Sequence, residues 1–174
     1  MTRSLVYLTL AAMIANAPGS CAKADANQSA AATGGGSGAS GGDWTSLGAT
    51  ACAKYLTPDV VSAILSQPAG PPKTLSPQAC SVTSTDEGGS ISITLTAGGA
   101  AAFDAYLQYL SDPQPLAGVG DKAVQSLIGI SSFKSPNKGC NIDAGGAPGS
   151  LKITGPALGK ALGALCNKLF AATP

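Results

Sequence analysis

The chain of 174 residues contains no histidine. That absence excludes a serine–histidine triad, histidine metal ligation and imidazole acid–base chemistry. Charge is scarce as well: charged residues are 11% of the chain, with 10 basic against 9 acidic side chains and a net charge of +1. Nucleic acid is bound by neutralising phosphates and releasing counterions, and no basic surplus exists to do so. Long apolar runs are also missing. The longest, Leu5 to Ala15, is about half of what a helix needs to cross a hydrocarbon core of roughly 30 Å.

That run has a different use. Arg3 precedes it, and small and turn-forming residues from Asn16 to Ser20 follow it. A positive n-region, a short apolar h-region and small residues are the layout of an export signal, assigned to residues 1–20. Pro18-Gly19-Ser20-Cys21 resembles a lipoprotein processing box, in which the cysteine becomes the first mature residue and carries lipid. Pro18 stands where such boxes usually have Leu. Ala15-Asn16-Ala17 and Ala24-Asp25-Ala26 are the rival cleavage sites. Residues 21–42 combine the lipid-anchor Cys21 with an Ala/Gly/Ser-rich linker. It lacks the apolar side chains that would offset the entropy of ordering.

Four further cysteines lie in the body of the chain: Cys52, Cys80, Cys140 and Cys166. An even number in an exported protein reads as two disulfides, and lipidation of Cys21 accounts for the fifth thiol. Four cysteines allow three connectivities. The sequential one, Cys52–Cys80 with Cys140–Cys166, is preferred, and each such loop would contribute about 3–4 kcal/mol through chain entropy. A zinc site is disfavoured because no close C-x2–4-C pair occurs.

Residues 43–174 read as a single α+β domain. Leu56-Thr57-Pro58-Asp59-Val60-Val61 starts a helix, with Thr57 as cap, Pro58 at the first helical position and Asp59 at the positive helix end. Val60, Val61, Ile64 and Leu65 line its apolar face. Two strands follow, with Cys80 and Val82 on one side of the first and Ile91, Ile93 and Leu95 on one side of the second. Asp86-Glu87-Gly88-Gly89 turns between them, with Gly supplying positive φ. A second helix spans Ala100 to Leu110, with an apolar stripe of Phe103, Tyr106, Leu107 and Leu110. Further strands are expected through Leu127, Ile128 and Ile130, at Cys140-Asn141-Ile142 and at Leu151-Lys152-Ile153. The last helix, Pro156 to Leu169, carries Leu158, Leu162, Leu165 and Leu169 on one stripe. Gly159 and Gly163 allow it to approach a sheet closely. The expectation is an antiparallel sheet of four to five strands, disulfide-stapled, with helices packed mainly on one face.

Candidate chemistry is thin. Gly118-Val119-Gly120 lacks the third glycine and βαβ context of a dinucleotide site. No Gly-x-Ser-x-Gly elbow occurs, and Ser135-x-x-Lys138 sits in a Pro/Gly-rich loop rather than on a helix. Asp121 and Lys122, in a Gly-rich turn, and Tyr109, off its helix stripe, are the candidate ligand contacts. A two-carboxylate site would need acids such as Asp104, Asp121 and Asp143 to converge. Catalytic residues, metal ligands and cofactors are therefore expected to be none.

Cys52, the helix start at Leu56–Val61, Cys80, the strand after it and Gly118-Val119-Gly120-Asp121-Lys122-Ala123 together resemble a family of small cysteine-containing lipoprotein domains of unknown function common in actinobacteria. The similarity spans Cys52 to Ala123 and leaves Cys140 and Cys166 outside it. The resemblance implies an envelope location and no particular activity. The combined expectation is a non-enzymatic binding or structural module, exported and tethered on the periplasmic face of the bacterial envelope, or alternatively secreted. Its partners would be the membrane, through the lipid, and an envelope protein, glycan or small ligand. The competing reading is a histidine-free periplasmic hydrolase or an inhibitor of an envelope enzyme.

Overall fold

A computed structural model describes residues 43–172. The signal at 1–20, Cys21 and the linker to residue 42 lie outside them. A 3-10 turn, Trp44–Leu47, leads into α1 (Gly48–Tyr55) and α2 (Pro58–Ile64), then β1 (Lys73–Ser76), β2 (Ala79–Thr83) and β3 (Gly89–Ala97). After α3 (Ala100–Leu107) come β4 (Gln114–Pro115), β5 (Lys122–Gln125), β6 (Gly129–Lys134) and β7 (Lys138–Gly146), and α4 (Gly155–Phe170) closes the chain. The strands form one sheet in the order β1-β2-β3-β7-β6-β5-β4, and every neighbouring pair is antiparallel.

Alternation in the central strands creates two unlike faces. Ile91, Ile93 and Leu95 of β3 stand opposite Ala144, Ile142 and Cys140 of β7, and all six are buried. This apolar face receives Cys52 from α1, Val61 and Ile64 from α2, and Leu158, Leu162 and Leu169 from α4 in one cluster. Each large aliphatic side chain buried there contributes about 1.5–3 kcal/mol. The four leucines of the α4 stripe are all buried, as their spacing predicts. The other face of the same strands carries Ser92, Thr94 and Thr96 opposite Asp143, Asn141 and Gly139. Among the described residues only α3 lies on this side, through Phe103 against Phe133 at 6.4 Å between ring centroids.

Both crosslinks lie within the apolar layer. Cys52–Cys80 joins α1 to β2 with Cα atoms 5.8 Å apart, and Cys140–Cys166 joins β7 to α4 with 5.9 Å. The sequential connectivity is the one present. Trp44 then locks the two ends of the domain together. Its Nε1 donates to the Gly139 carbonyl at 3.3 Å, its ring stacks on Phe170 at 5.7 Å, and the Lys138 ammonium lies 4.9 Å from its centroid.

The sheet is wider than four or five strands because of its edges. β1 is exposed throughout, so it has no buried alternation to betray it. β4 is two residues long and ends in Pro115. Short, proline-bounded edges discourage pairing with another chain. Two expected strands are placed differently. Leu127 and Ile128 form a turn tip, since Ser126 N bonds Gly129 O at 2.8 Å, and they are 85% and 49% exposed. Leu151 makes only an isolated bridge to Leu65. α1, an Ala-rich helix before the predicted first one, is an addition. α3 stops at Leu107 and buries only Phe103 of its stripe, because it lies on the polar face.

The β2–β3 turn also differs in detail. The positive φ falls on Glu87, at 58°, rather than on a glycine. Asp86 holds the turn by accepting hydrogen bonds from Ser84 Oγ at 2.5 Å and Gly88 N at 3.1 Å. These bonds pull its carboxyl below the ordinary value. Thr57 occupies the cap position of α2 without making a side-chain cap bond.

Two stability measurements follow from this packing. Replacing Cys140 and Cys166 together by Ala should cost about 3–4 kcal/mol in denaturant unfolding; a loss below about 1 kcal/mol would mean that the crosslink does not restrain the unfolded chain. A Cβ at Gly48 would overlap the backbone carbonyl of Gln78, whereas one at Gly159 meets only the end of the Gln125 side chain. Gly48→Ala should therefore destabilise by about 1–3 kcal/mol and Gly159→Ala by clearly less, measured the same way.

Candidate functional site

The chain order around Thr57 and the prolines builds a deep cleft. A residue before proline avoids helical geometry, so Thr57 is extended and α1 and α2 are separate helices. After α2 the segment from Pro68 to Gly70 runs back along β2, fixed by Gly70 N to Thr83 O and Thr85 N to Pro68 O, both 2.8 Å. The loop is thus held against the sheet but away from α2. The space between them is a cleft of about 600 Å³.

Its floor is apolar. Leu56, Val61 and Val82 line it and are at most 5% exposed. Pro58, Pro68 and Pro72 stiffen its rim through their fixed φ. One cation stands at the mouth. The segment expected to be a strand, Leu151 to Ile153, serves to place it: Lys152 N bonds Ile64 O at 2.8 Å, and its Nζ donates to Ser62 O at 2.6 Å. An ammonium has three donors, so two remain for a ligand. Concave, with an apolar floor, neutral polar residues such as Thr57, Ser62, Ser66 and Gln67 around it and one cation, this is the form of a small-molecule site.

The residues singled out from sequence lie elsewhere. Asp121 accepts a hydrogen bond from Ser135 N at 2.7 Å, tying the Gly-rich turn to the β6–β7 connection. Asn167 completes that anchor by accepting from Gly120 N and donating to Gly118 O. Lys122 faces solvent and pairs with Asp104 at 3.4 Å, both side chains being 55% exposed. Such a pair contributes little. Tyr109 is 77% exposed and lines neither this cleft nor the shallow one beside Lys122. The structure therefore does not bring Asp121, Lys122 and Tyr109 to one cavity.

Asp104 and Asp121 go to separate partners, Lys122 and Ser135 N, and Asp143 joins neither. Asp143 is on the polar sheet face, opposite Ser92, with its carboxyl folded over Gly129. Desolvation there raises its pKa above the ordinary value. Desolvation likewise raises the Tyr106 phenol, and the Asp143 charge adds to that shift. Ser132 and Lys138 are engaged structurally: the Ser132 hydroxyl donates to Cys140 O and the Lys138 ammonium to Phe170 O. Among the described residues no group of three or more His, Cys, Asp or Glu side chains is arranged to hold a metal ion. No helix among them is long and apolar enough to cross a membrane.

No protein-family model, no curated protein and no solved structure matches the chain.

An acid whose folded pKa exceeds its unfolded one withdraws stability as pH rises from about 3.9 through the folded value. Asp143→Asn should therefore unfold at a higher temperature than the parent at pH 7, with the gap closing as the pH approaches about 3. The Asp86 contribution runs in the opposite sense but is common to both proteins. A gap that stays constant or widens on acidification would contradict the assigned desolvation.

Proposed function

We propose that the protein is an exported lipoprotein of the bacterial cell envelope, tethered through Cys21, whose disulfide-stapled domain is a non-enzymatic binding module. Its ligand is a small apolar molecule with an anionic group, seated in the cleft between α2 and the Pro68–Gly70 segment. The observation that carries this reading is the cleft itself: about 600 Å³ with a buried aliphatic floor and the Lys152 ammonium at its mouth. A floor of Leu56, Val61 and Val82 offers apolar contact and no acid, base or nucleophile. Lys152 can orient a carboxylate or phosphate by a charge-assisted hydrogen bond.

The location rests on separate grounds. The n-region and h-region before Cys21 support export, and two buried disulfides in so short a domain suit an oxidising compartment. The resemblance of residues 52–123 to small actinobacterial lipoprotein domains supports the same placement. An Ala/Gly/Ser-rich segment of the length of residues 22–42 suits a tether between lipid and domain.

Dodecanoate and dodecanol are suitable probes, titrated into the full chain carrying Cys21→Ser. Both should bind and raise the unfolding temperature. Ser62→Trp, which puts an indole into the cleft from the exposed side of α2, should abolish both. Lys152→Ala should weaken dodecanoate by about tenfold, or roughly 1.4 kcal/mol, and leave dodecanol unchanged. Failure of either probe to bind below millimolar concentration would remove the ligand assignment. In cells, Cys21→Ser should move the protein from the membrane fraction to the soluble one; an unchanged distribution would remove the anchor.

A further inference from the structure

A second, chemically opposite cleft opens on the other face of the sheet. It lies between α3 and the ends of β3, β6 and β7, has a volume of about 160 Å³, and is lined by Thr96, Phe103, Tyr106, Ser131 and Asn141 among others. Its position follows from three local features. α3 is set on this face by Phe103 packing on Phe133. Gly139, the β7 residue opposite Thr96, contributes no side chain, so the Thr96 hydroxyl occupies the space above it. Tyr106 is 37% exposed and turns its ring to the cleft instead of completing an apolar stripe.

The hydrogen-bonding inventory of this cleft is incomplete within the protein. Ser131 Oγ donates to Asn141 Oδ1 at 2.7 Å, which fixes the carboxamide and leaves Asn141 Nδ2 with no partner among the described residues. Among the described residues the Thr96 and Thr94 side chains make no hydrogen bond there either. Two residues along β7 on the same face comes Asp143, an acceptor, and opposite it Ser92. Ser90 and Ser81 extend the polar face across β3 and β2. An aromatic ring thus borders a row of hydroxyl, carboxamide and carboxylate groups, on a face that continues beyond the cleft.

We infer that this cleft and the sheet face next to it form a glycan-binding site, in which a neutral pyranose ring rests against Tyr106 and its hydroxyls bond Asn141 and Thr96, while Asp143 meets the adjoining ring on the sheet face. The chemistry matches on three counts. A sugar ring has an apolar C–H face suited to an aromatic plane, and Tyr combines that plane with a polar tip. Vicinal hydroxyls both donate and accept, as do the amide and carboxylate that they would meet. The volume suits a single ring rather than a peptide side chain with its backbone, and the half-buried Ser92, Ser90 and Ser81 row gives neighbouring rings somewhere to lie. The Asp143 carboxylate selects against uronic acids and other anionic sugars by like-charge repulsion. The site is separate from the α2 cleft, and its occupancy does not depend on that assignment.

Saturation-transfer NMR on the full chain carrying Cys21→Ser tests this directly. The probes are the tetrasaccharides of cellulose, mannan, xylan and chitin, with tetragalacturonate as the anionic control. At least one neutral tetrasaccharide should show transfer to its ring C–H protons, and tetragalacturonate none. Tyr106→Ala and Asn141→Ala should each weaken that binding by tenfold or more, Tyr106→Phe should retain most of it, and Ser62→Trp should leave it unchanged. Tyr106 and Asn141 line an open cleft, and far-UV circular dichroism together with the unfolding temperature shows whether each variant is folded. The inference is overturned by no neutral tetrasaccharide binding at 5 mM (roughly −3 kcal/mol), by binding that survives both alanine variants, or by a preference for tetragalacturonate.

Discussion

The fold depends on a single apolar face clamped from above at two points by sulfur. Cys80 in β2 is bonded to Cys52 in α1, and Cys140 in β7 to Cys166 in α4. All four cysteines are at most 1% exposed and share one cluster with the aliphatic residues of β3 and β7. Each disulfide therefore joins a helix to a strand within the layer that the helix covers. The two clamped halves meet where β3 and β7 pair over nine residues, from Gly89 opposite Gly146 to Ala97 opposite Lys138. A glycine-rich domain of this size has a limited hydrophobic core, and restricting the unfolded chain by two closed loops offsets part of the deficit.

With the layers fixed in this way, the connecting segments are free to take shapes that packing alone would not favour. The stretch from Pro68 to Gly70 is bound to β2 and stands away from α2, and the backbone of Leu151 and Lys152 is pinned to the end of that helix. The result is an apolar opening with one cation. The far side of the sheet needs no core, so β3 and β7 carry serine, threonine, asparagine and aspartate there. α3 covers only part of it. One sheet thus presents two kinds of surface, an aliphatic cleft at one edge and a hydroxyl-rich face with a tyrosine border, and their chemistries call for different ligands.

Much of this was legible in the residues. Strict alternation from Ile91 to Leu95 and the leucine stripe of α4 give a half-buried strand and an amphipathic helix because burial enforces those periods. The glycines at 159 and 163 lie where α4 meets Gln125 and Val119. What escaped was whatever periodicity does not encode. β1 has no buried residue, β4 pairs over two residues, and Leu127 and Ile128 read as strand although they sit on a turn whose reversal is set by backbone bonds. α3 shows a good stripe and buries little of it, since amphipathicity does not say which face of a sheet a helix will cover. The sites escaped for a related reason. Asp121 and Lys122 stand out as charges in a glycine-rich turn, but their partners, Ser135 and Asp104, are distant in sequence. Lys152 and Asn141 gave no local signal; what places each is pairing with residues remote along the chain.

Non-reducing peptide mapping of the protein recovered from its native cells tests the central dependence most directly. Two crosslinked peptide pairs are expected, Cys52 with Cys80 and Cys140 with Cys166, and no free thiol among these four. Recovery of the four as free thiols, or crosslinked in another pairing, would contradict it.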